Sequence, residues 1–309
     1  MRRFAALAGI LILAILISPV AGDGSRIFLQ PGNLTDILRQ VSLIGILSLS
    51  MTFVILTAGI DLSVGSMLAL STSITAMWLT RGYTHSIAGA IAAAVLACGA
   101  AGALNGAVVA LTGMQPFIVT LASMIGIRGL AKRLTDNQNI DIGFGQDLAA
   151  QFASIFREKA VVIGSYAATA AIFGVLLART VFGRHVRAIG DNEKAARYTG
   201  LPVRRTKLWV YTLSGLLSGF AGVLYAAENH QGNPNAGVAY ELDAIAAVVI
   251  GGTRLSGGKG SISGTIVGTL MMGVLTNMLR LNNVDSNVEM MVKAVIIVLA
   301  VAVQRGRNA

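Results

Sequence analysis

The sequence predicts a single all-α domain, residues 1–309, that crosses a membrane about ten times with both termini in the cytoplasm. Hydrophobic residues make up 54% of the chain and charged residues only 12%, whereas soluble domains carry roughly 25% charged residues. The mean hydropathy is +0.71, so most of the surface must face lipid. The third observation is a succession of apolar runs, most of them close to the roughly 20 residues that a spanning helix needs.

Ten apolar segments follow one another along the chain. They cover residues 4–20, 36–58, 63–80, 86–111, 116–134, 160–178, 208–227, 242–252, 260–280 and 288–304. The eighth is too short to cross a bilayer, which indicates a half-helix that breaks at the following glycines. The first has a basic start, an apolar core and small residues after Pro19, which is also the pattern of a cleaved signal peptide. We favour a retained first helix, because its apolar run is long and the number of spans is then even.

The distribution of basic residues predicts the orientation. With both termini inside, the inner segments hold fourteen Lys and Arg residues and the outer segments nine, while Lys293 lies within the last span. Eight of the fourteen belong to loop 179–207, and an excess of basic residues marks the cytoplasmic side. The net charge of +10 is explained by this topology, so we expect no nucleic-acid partner. Neither Cys98 nor the scattered His85, His185 and His230 have the spacing of metal ligands.

Loop 179–207 contains a short predicted helix, residues 191–200. Asp191 or Asn192 can cap its N-terminus, Glu193 suits its first turn, and Gly200 ends it.

One face of this short helix carries small residues. The small residues Ala195 and Ala196 lie between Lys194 and Arg197. A short helix with a small-residue face suits docking into a groove on a partner. The alternative is an ordinary solvated basic loop.

Several stretches resemble the membrane permeases of ribose-type ABC importers, the family that serves periplasmic sugar-binding proteins. The matching stretches are 51–70, 115–124, 190–200, 240–253, 255–268 and 292–301. The most specific are GIDLSVG at 59–65 and ELDAIAAVVIGG at 241–252. The short helix is similar to the family's coupling loop, a glutamate–alanine–alanine…glycine pattern, in which Lys194 here follows the glutamate. The matching positions are Glu193, Ala195, Ala196 and Gly200.

The resemblance implies a permease that works as a dimer, of identical chains or with a paralogue, in the bacterial cytoplasmic membrane. Two cytoplasmic ATPase subunits would grip the segment 191–200, with Asp191, Asn192 and Arg197 beside the motif positions. ATP is then bound by those partners, and the chain itself is not an enzyme and holds no cofactor. A periplasmic binding protein would deliver a monosaccharide, with ribose as the first expectation, and ATP hydrolysis would drive alternating access.

Polar residues close to the spans have two interpretations each. Asp61 and Ser63 stand where the third span begins, where either can cap the helix or belong to an inner gate. Glu241 and Asp243 begin the eighth segment, where acidic groups favour the helix dipole, and an outer gate or a binding-protein contact is the alternative. Asn105 lies within a span and can bond a neighbouring helix, which we favour, or a sugar hydroxyl.

The glycine-rich stretch 250–264 superficially suggests a nucleotide site. A phosphate-binding loop needs a glycine, four residues, and then Gly-Lys-Ser or Gly-Lys-Thr after a strand. With Gly258 and Lys259 as the anchor, Thr253 takes the place of the first glycine and Gly260 that of the hydroxyl residue. We therefore expect Gly257 and Gly258 to form a cytoplasmic break before the ninth span, a turn rather than a hinge beside the gate.

Two other functions compete with an ABC permease. An ion-gradient-driven secondary transporter usually carries ionisable residues near the midplane, whereas the charges here cluster at span ends. An intramembrane enzyme needs paired catalytic groups within its spans, and the sequence has no such motif.

Overall fold

The computed structural model describes residues 2–83, 86–145 and 147–305. His85 and Arg307, the latter one of the fourteen inner basic residues, lie outside this part of the chain. The α-helices are α1 Arg2–Ile17, α2 Pro31–Leu56, α3 Val64–Thr80, α4 Ile87–Thr112, α5 Pro116–Leu134, α6 Leu148–Phe156, α7 Lys159–Arg179, α8 Val181–Asp191, α9 Glu193–Tyr198, α10 Val203–Asn229, α11 Tyr240–Ile250, α12 Ile262–Leu281 and α13 Ser286–Arg305. A 3-10 turn covers Ile27–Leu29, and two short antiparallel strands, β1 Ile140–Asp141 and β2 Gln231–Gly232, pair with each other.

Each of the ten predicted apolar segments falls on a helix. The eighth is α11, whose eleven residues extend about 16 Å at 1.5 Å per residue, so the predicted half-helix is confirmed. Segment 179–207, for which the sequence predicted only the short helix at 191–200, contains α8, α9 and the start of α10 and is almost wholly helical. Helix α6 and the pairing of β1 with β2 were not predicted from the sequence.

Five of the described helices are long and apolar enough to cross a membrane, namely α2, α4, α7, α10 and α12. Residues Phe4–Ile17 of α1 and the whole of α3 form shorter apolar helices. The helices therefore fit a polytopic membrane protein.

Helix α2 lies at the centre of the bundle. It packs against α7, α10, α11 and α12, and from Gly45 to Leu56 every residue is buried. Its Thr52 hydroxyl lies 2.7 Å from the Thr265 hydroxyl of α12. Protein, rather than lipid, covers most of α2.

Glycines bring neighbouring helices into backbone contact. In α4 and α10, Gly102 packs against Gly215, and a side chain at either position would collide with the backbone of the other helix. In α11 and α12, Gly268 packs against the Ala247 carbonyl in the same way. Small residues at such contacts let helix backbones approach closely, as is common between membrane helices.

The chain between α10 and α11 doubles back along α3. The Asn233 N–H donates to the Thr72 hydroxyl (3.1 Å), and Gly237 then reaches Gly65 at the start of α3. From Thr72 to Gly65, α3 extends about 10 Å. Consequently α11 begins inside the bundle rather than at the surface where α10 ends.

The first helix is fastened to the segment that follows it. The Arg26 guanidinium donates to the carbonyls of Leu16 (3.2 Å) and Ser18 (2.8 Å), which ends α1. Ala14 and Phe28 are both buried, and α1 packs against α12. These contacts make α1 part of the fold.

Candidate functional site

Helix α9 is the short helix that the sequence predicted within 191–200, although it covers only Glu193–Tyr198. Asn192 provides the cap, because its side chain accepts a hydrogen bond from the Ala195 N–H at 3.0 Å. Asp191 instead ends α8. Gly200 adopts a left-handed conformation with φ +79° and stops the helix, as predicted.

Glu193 ties α9 to the long helix α10. One carboxylate oxygen lies 3.2 Å from Arg197 Nη2, and the other lies 2.7 Å from Lys207 Nζ. Lys207 belongs to α10 and its side chain is only 13% exposed, so its pair with Glu193 is less screened by solvent than the pair with exposed Arg197.

The two alanines of α9 do not share an exposed face, contrary to the sequence prediction. Ala195 is exposed, whereas Ala196 is buried with Ile189 of α8 and Val203 of α10. Successive residues of a helix point about 100° apart, because a turn holds 3.6 residues. Only Ala195 can therefore contribute a small side chain to a docking surface, and Ala196 holds α8, α9 and α10 together.

The glycine-rich stretch forms a compact turn between α11 and α12. The Arg254 N–H donates to the Lys259 carbonyl (2.9 Å), and the Gly257 N–H donates to the Arg254 carbonyl (3.0 Å). Gly257 and Gly258 have φ values of +88° and +72°, which only glycine adopts without strain. The Gly258 N–H donates to the Leu56 carbonyl at the end of α2 (3.0 Å). A helix, not a strand, precedes this turn, so the context of a phosphate-binding loop is missing.

Asp61 is fully buried at the start of α3. One of its oxygens accepts hydrogen bonds from the Ser63 N–H (3.0 Å) and the Ser63 hydroxyl (2.5 Å). The other accepts from the Ser214 hydroxyl of α10 (2.7 Å). Ser63 occupies the N-cap position of α3 without a side-chain bond to the helix. Side-chain capping of α3 by Ser63 is therefore wrong, and Asp61 instead bonds Ser63 and joins α3 to α10.

The depth of Asp61 within the bundle follows from its partner Ser214. Ser214 is close to the middle of α10, so its partner Asp61 lies well inside the bundle. The Tyr211 hydroxyl is buried next to Gly59 and has no hydrogen-bond partner among the described residues. This region is a polar cluster surrounded by apolar helices.

Asn105 of α4 belongs to the same cluster. Its amide donates to the Ser63 hydroxyl (3.0 Å), and the residue is 5% exposed. The favoured interpretation, contact between neighbouring elements, therefore fits the structure. Asn105 and Ser123 are also polar groups on an otherwise apolar groove of about 420 Å³ between α4 and α5.

Asp243 takes part in a chain of ion pairs that joins three helices. It lies 3.3 Å from Lys293 Nζ of α13, and Lys293 lies 3.0 Å from Glu289, four residues earlier. Glu289 in turn pairs with Arg280 of α12 (3.3 Å). A structural role is thus sufficient for Asp243, because this network spans α11, α12 and α13.

Glu241 lies in the first turn of α11, where its carboxylate packs against Gly65 of α3. Nearby, the Arg128 guanidinium of α5 donates to the carbonyls of Pro234 (3.1 Å) and Ala236. The acid therefore sits where α3, α5 and the doubled-back segment meet.

Ser214, Arg128 and the pairing of Lys293 with Asp243 were not predicted from the sequence. Ser214 lies 153 positions from Asp61, and no local pattern reports such a contact. Lys293 did carry a signal, because a lysine within an apolar span needs a buried partner.

Comparison with known families decides the class of the protein. Residues 33–301 match the model of the permease family described as branched-chain amino acid transport system / permease component. The chain belongs to this permease family. Such a permease with several apolar helices is a multi-pass protein of the bacterial cytoplasmic membrane.

Other members of the permease family are similar over nearly the whole chain. The ribose import permease of Bacillus subtilis (strain 168) is 42% identical, covering 100% of this chain and 94% of that protein. The ribose import permease of Escherichia coli (strain K12) is 41% identical over 98% of this chain and 93% of that protein. The D-allose transport system permease of Escherichia coli (strain K12) is 36% identical over 95% and 90%. Comparison with solved structures gave no significant match.

Proposed function

We propose that this protein is the membrane permease of an ATP-driven importer that carries ribose or a closely related monosaccharide into the cell. The observation that carries the proposal is the 41–42% identity to two ribose import permeases over essentially the whole chain. The family description refers to branched-chain amino acids, but the relatives described above, and an L-arabinose permease of Azospirillum brasilense that is 38% identical, are named for sugars.

Two ATPase subunits are the proposed partners on the side of α9. The exposed residues Asn192, Ala195, Arg197 and Gly200 form its outer surface, which we call the α9 surface. The Glu193–Lys207 pair fixes this surface to α10. A force that an ATPase exerts on α9 would therefore be transmitted to α10, a helix of 27 residues. ATP is bound by those subunits, and the chain needs no cofactor of its own. A second permease chain and a periplasmic sugar-binding protein complete the proposed assembly.

The proposed topology has ten membrane segments with both termini in the cytoplasm, including the short α11 and a retained α1. The excess of basic residues near α8, α9 and the start of α10 supports this orientation. The contacts of Arg26 with the end of α1 support its retention.

A secondary transporter driven by an ion gradient is the second candidate. The buried Asp61 and the Asp243–Lys293 pair favour it, because ionisable groups inside a membrane often belong to ion pathways. Both groups, however, have satisfied partners that join helices.

One experiment separates the two candidates. The chain is co-expressed with candidate ATPase and sugar-binding subunits and reconstituted in liposomes. We expect uptake of radiolabelled ribose only when ATP, both ATPases and a ribose-loaded binding protein are present, with hydrolysis stimulated by that binding protein. Uptake by the chain alone, driven by a sodium or proton gradient, would identify a secondary transporter. Stimulation by D-allose or L-arabinose instead of ribose would change the substrate and keep the class.

A further inference from the structure

Three backbones meet at the end of the bundle that carries α9. The Leu56 carbonyl, at the end of α2, accepts a hydrogen bond from the Gly258 N–H at 3.0 Å. Gly190, in the last turn of α8, lies directly on this hydrogen bond, and a methyl group there would collide with both atoms. Gly257 packs against Gly190 and Ala58. Because these glycines have no side chains, the backbones of α2, α8 and the glycine turn are in direct contact.

The glycine turn is a stiff element on one side of this contact. Its own hydrogen bonds close it between Arg254 and Lys259. It continues directly from α11, because the Thr253 N–H still donates to the Val248 carbonyl (3.1 Å). Gly251 packs against the backbone of Gly264, so α11 and α12 hold the turn from both ends.

The other side of the contact is equally well held. Ile189 of α8 packs with Ala196 of α9 and Val203 of α10, and Glu193 pairs with Lys207. A displacement of α9 must therefore displace the last turn of α8, where Gly190 lies.

We propose that Gly190 is a positioning residue for transport, which passes ATPase-driven movement of α8 and α9 to α11 through its backbone contact with Gly258. The proposal rests on the docking of an ATPase at the α9 surface. Close-packed backbone yields little, because no side chain can change rotamer to absorb the movement. At the far end of α11, Glu241 packs on α3 and Asp243 pairs with α13. Movement that enters at Gly190 thus reaches the interior of the bundle along a single half-helix.

The first test substitutes Gly190→Ala in the permease–ATPase–binding-protein complex in liposomes. Gly164→Ala in α7 is the matched control, because a methyl group there meets no atom within 4 Å. We expect Gly190→Ala to keep ATPase association and nucleotide hydrolysis, while sugar transported per ATP falls at least about tenfold. Gly164→Ala should transport normally. A normal transport-to-hydrolysis ratio in Gly190→Ala overturns the proposal. Failure of the unsubstituted chain to bind ATPases would instead refute the proposed docking.

The second test needs no change at Gly190 and decides the case if that variant does not assemble. Spin labels are placed on exposed cysteines that replace Arg184 of α8, Ser256 of the turn and Gln115 before α5, in a Cys98→Ala background. On ATP binding we expect the 184–256 distance to stay constant and the 256–115 distance to change. A change in the first distance means that α8 and the turn do not move together. An unchanged second distance means that the turn does not move on ATP binding, and either result overturns the proposal.

Discussion

Asp61 is a buried acidic residue with no basic partner among the described ion pairs. Three donors from Ser63 and Ser214 surround it instead, and a buried donor left without its acceptor costs about 1–3 kcal/mol. These hydrogen bonds offset the cost of burying the polar Asp61 side chain and join α3 to α10.

Removing this carboxylate should be costly. We expect Asp61→Ala to lower the free energy of unfolding by about 3 kcal/mol, because it leaves buried donors without acceptors. Asp61→Asn, which keeps the shape and one acceptor, should lose less than half as much. SDS titration of the purified protein in mixed micelles measures both. Equal stability of Asp61→Ala and the unsubstituted chain would contradict the assigned contacts.

Lys293 offers a second test at the same scale. Lys293→Met leaves Asp243 and Glu289 without their shared cation, which should cost about 3 kcal/mol, as breaking buried ion pairs does. Adding Asp243→Asn should restore more than half of the loss, since an unpaired buried carboxylate is removed. The control is Arg133→Ala, whose pair with Asp136 is exposed and should leave the melting temperature unchanged. If the double variant melts lower than Lys293→Met, the pair is not the source of the loss.

At the scale of elements, two neighbouring residues of α9 differ in burial. Ala195 and Ala196 are neighbours in sequence, but only Ala196 packs between α8 and α10. The proposed contact with an ATPase and the contact with the fold therefore lie one position apart.

Substitution by aspartate should separate these two roles. We expect Ala195→Asp to reduce ATPase association at least about tenfold, equivalent to 1.4 kcal/mol, with unchanged thermal unfolding. Ala196→Asp should lower both, because it buries a charge among Ile189 and Val203. Pull-down with the ATPase and a melting curve for each variant provide the measurement. Intact association in Ala195→Asp would argue against docking on the α9 surface.

The apolar runs predicted most helices, because spanning helices need long apolar segments whatever covers them. The apolar runs could not predict which helices are covered by protein. The apolar stretch of α2 is 78% buried and that of α4 only 28%, yet lipid and protein interior select the same residue types. The return of residues 233–237 along α3 depends on contacts such as Thr72 with Asn233, 161 positions apart. The motif at 191–200 predicted the candidate site, but the side of α9 that faces the bundle depends on Ile189 and Val203.

On the scale of the whole molecule, the orientation is the main prediction. The charge distribution predicts that α9 lies in the cytoplasm and α6 outside. Single cysteines at the exposed positions Lys194 and Ser154, in a Cys98→Ala background, should react with an impermeant maleimide from opposite sides. Labelling of both cysteines from the same side would rule out this topology.

The central position of α2 has a consequence for the order in which the protein is made. Its partner α7 begins at Lys159, roughly a hundred residues after α2 ends at Leu56. At about 5–20 residues per second, a ribosome needs about 5–20 s to make that stretch. During this time α2 waits in the bilayer without α7, α10, α11 or α12. Its hydroxyls are already satisfied, since the buried hydroxyls at 42, 48, 50 and 52 each donate to a carbonyl of α2 itself. The helix at the core of the permease is thus compatible with lipid before its neighbours are synthesised.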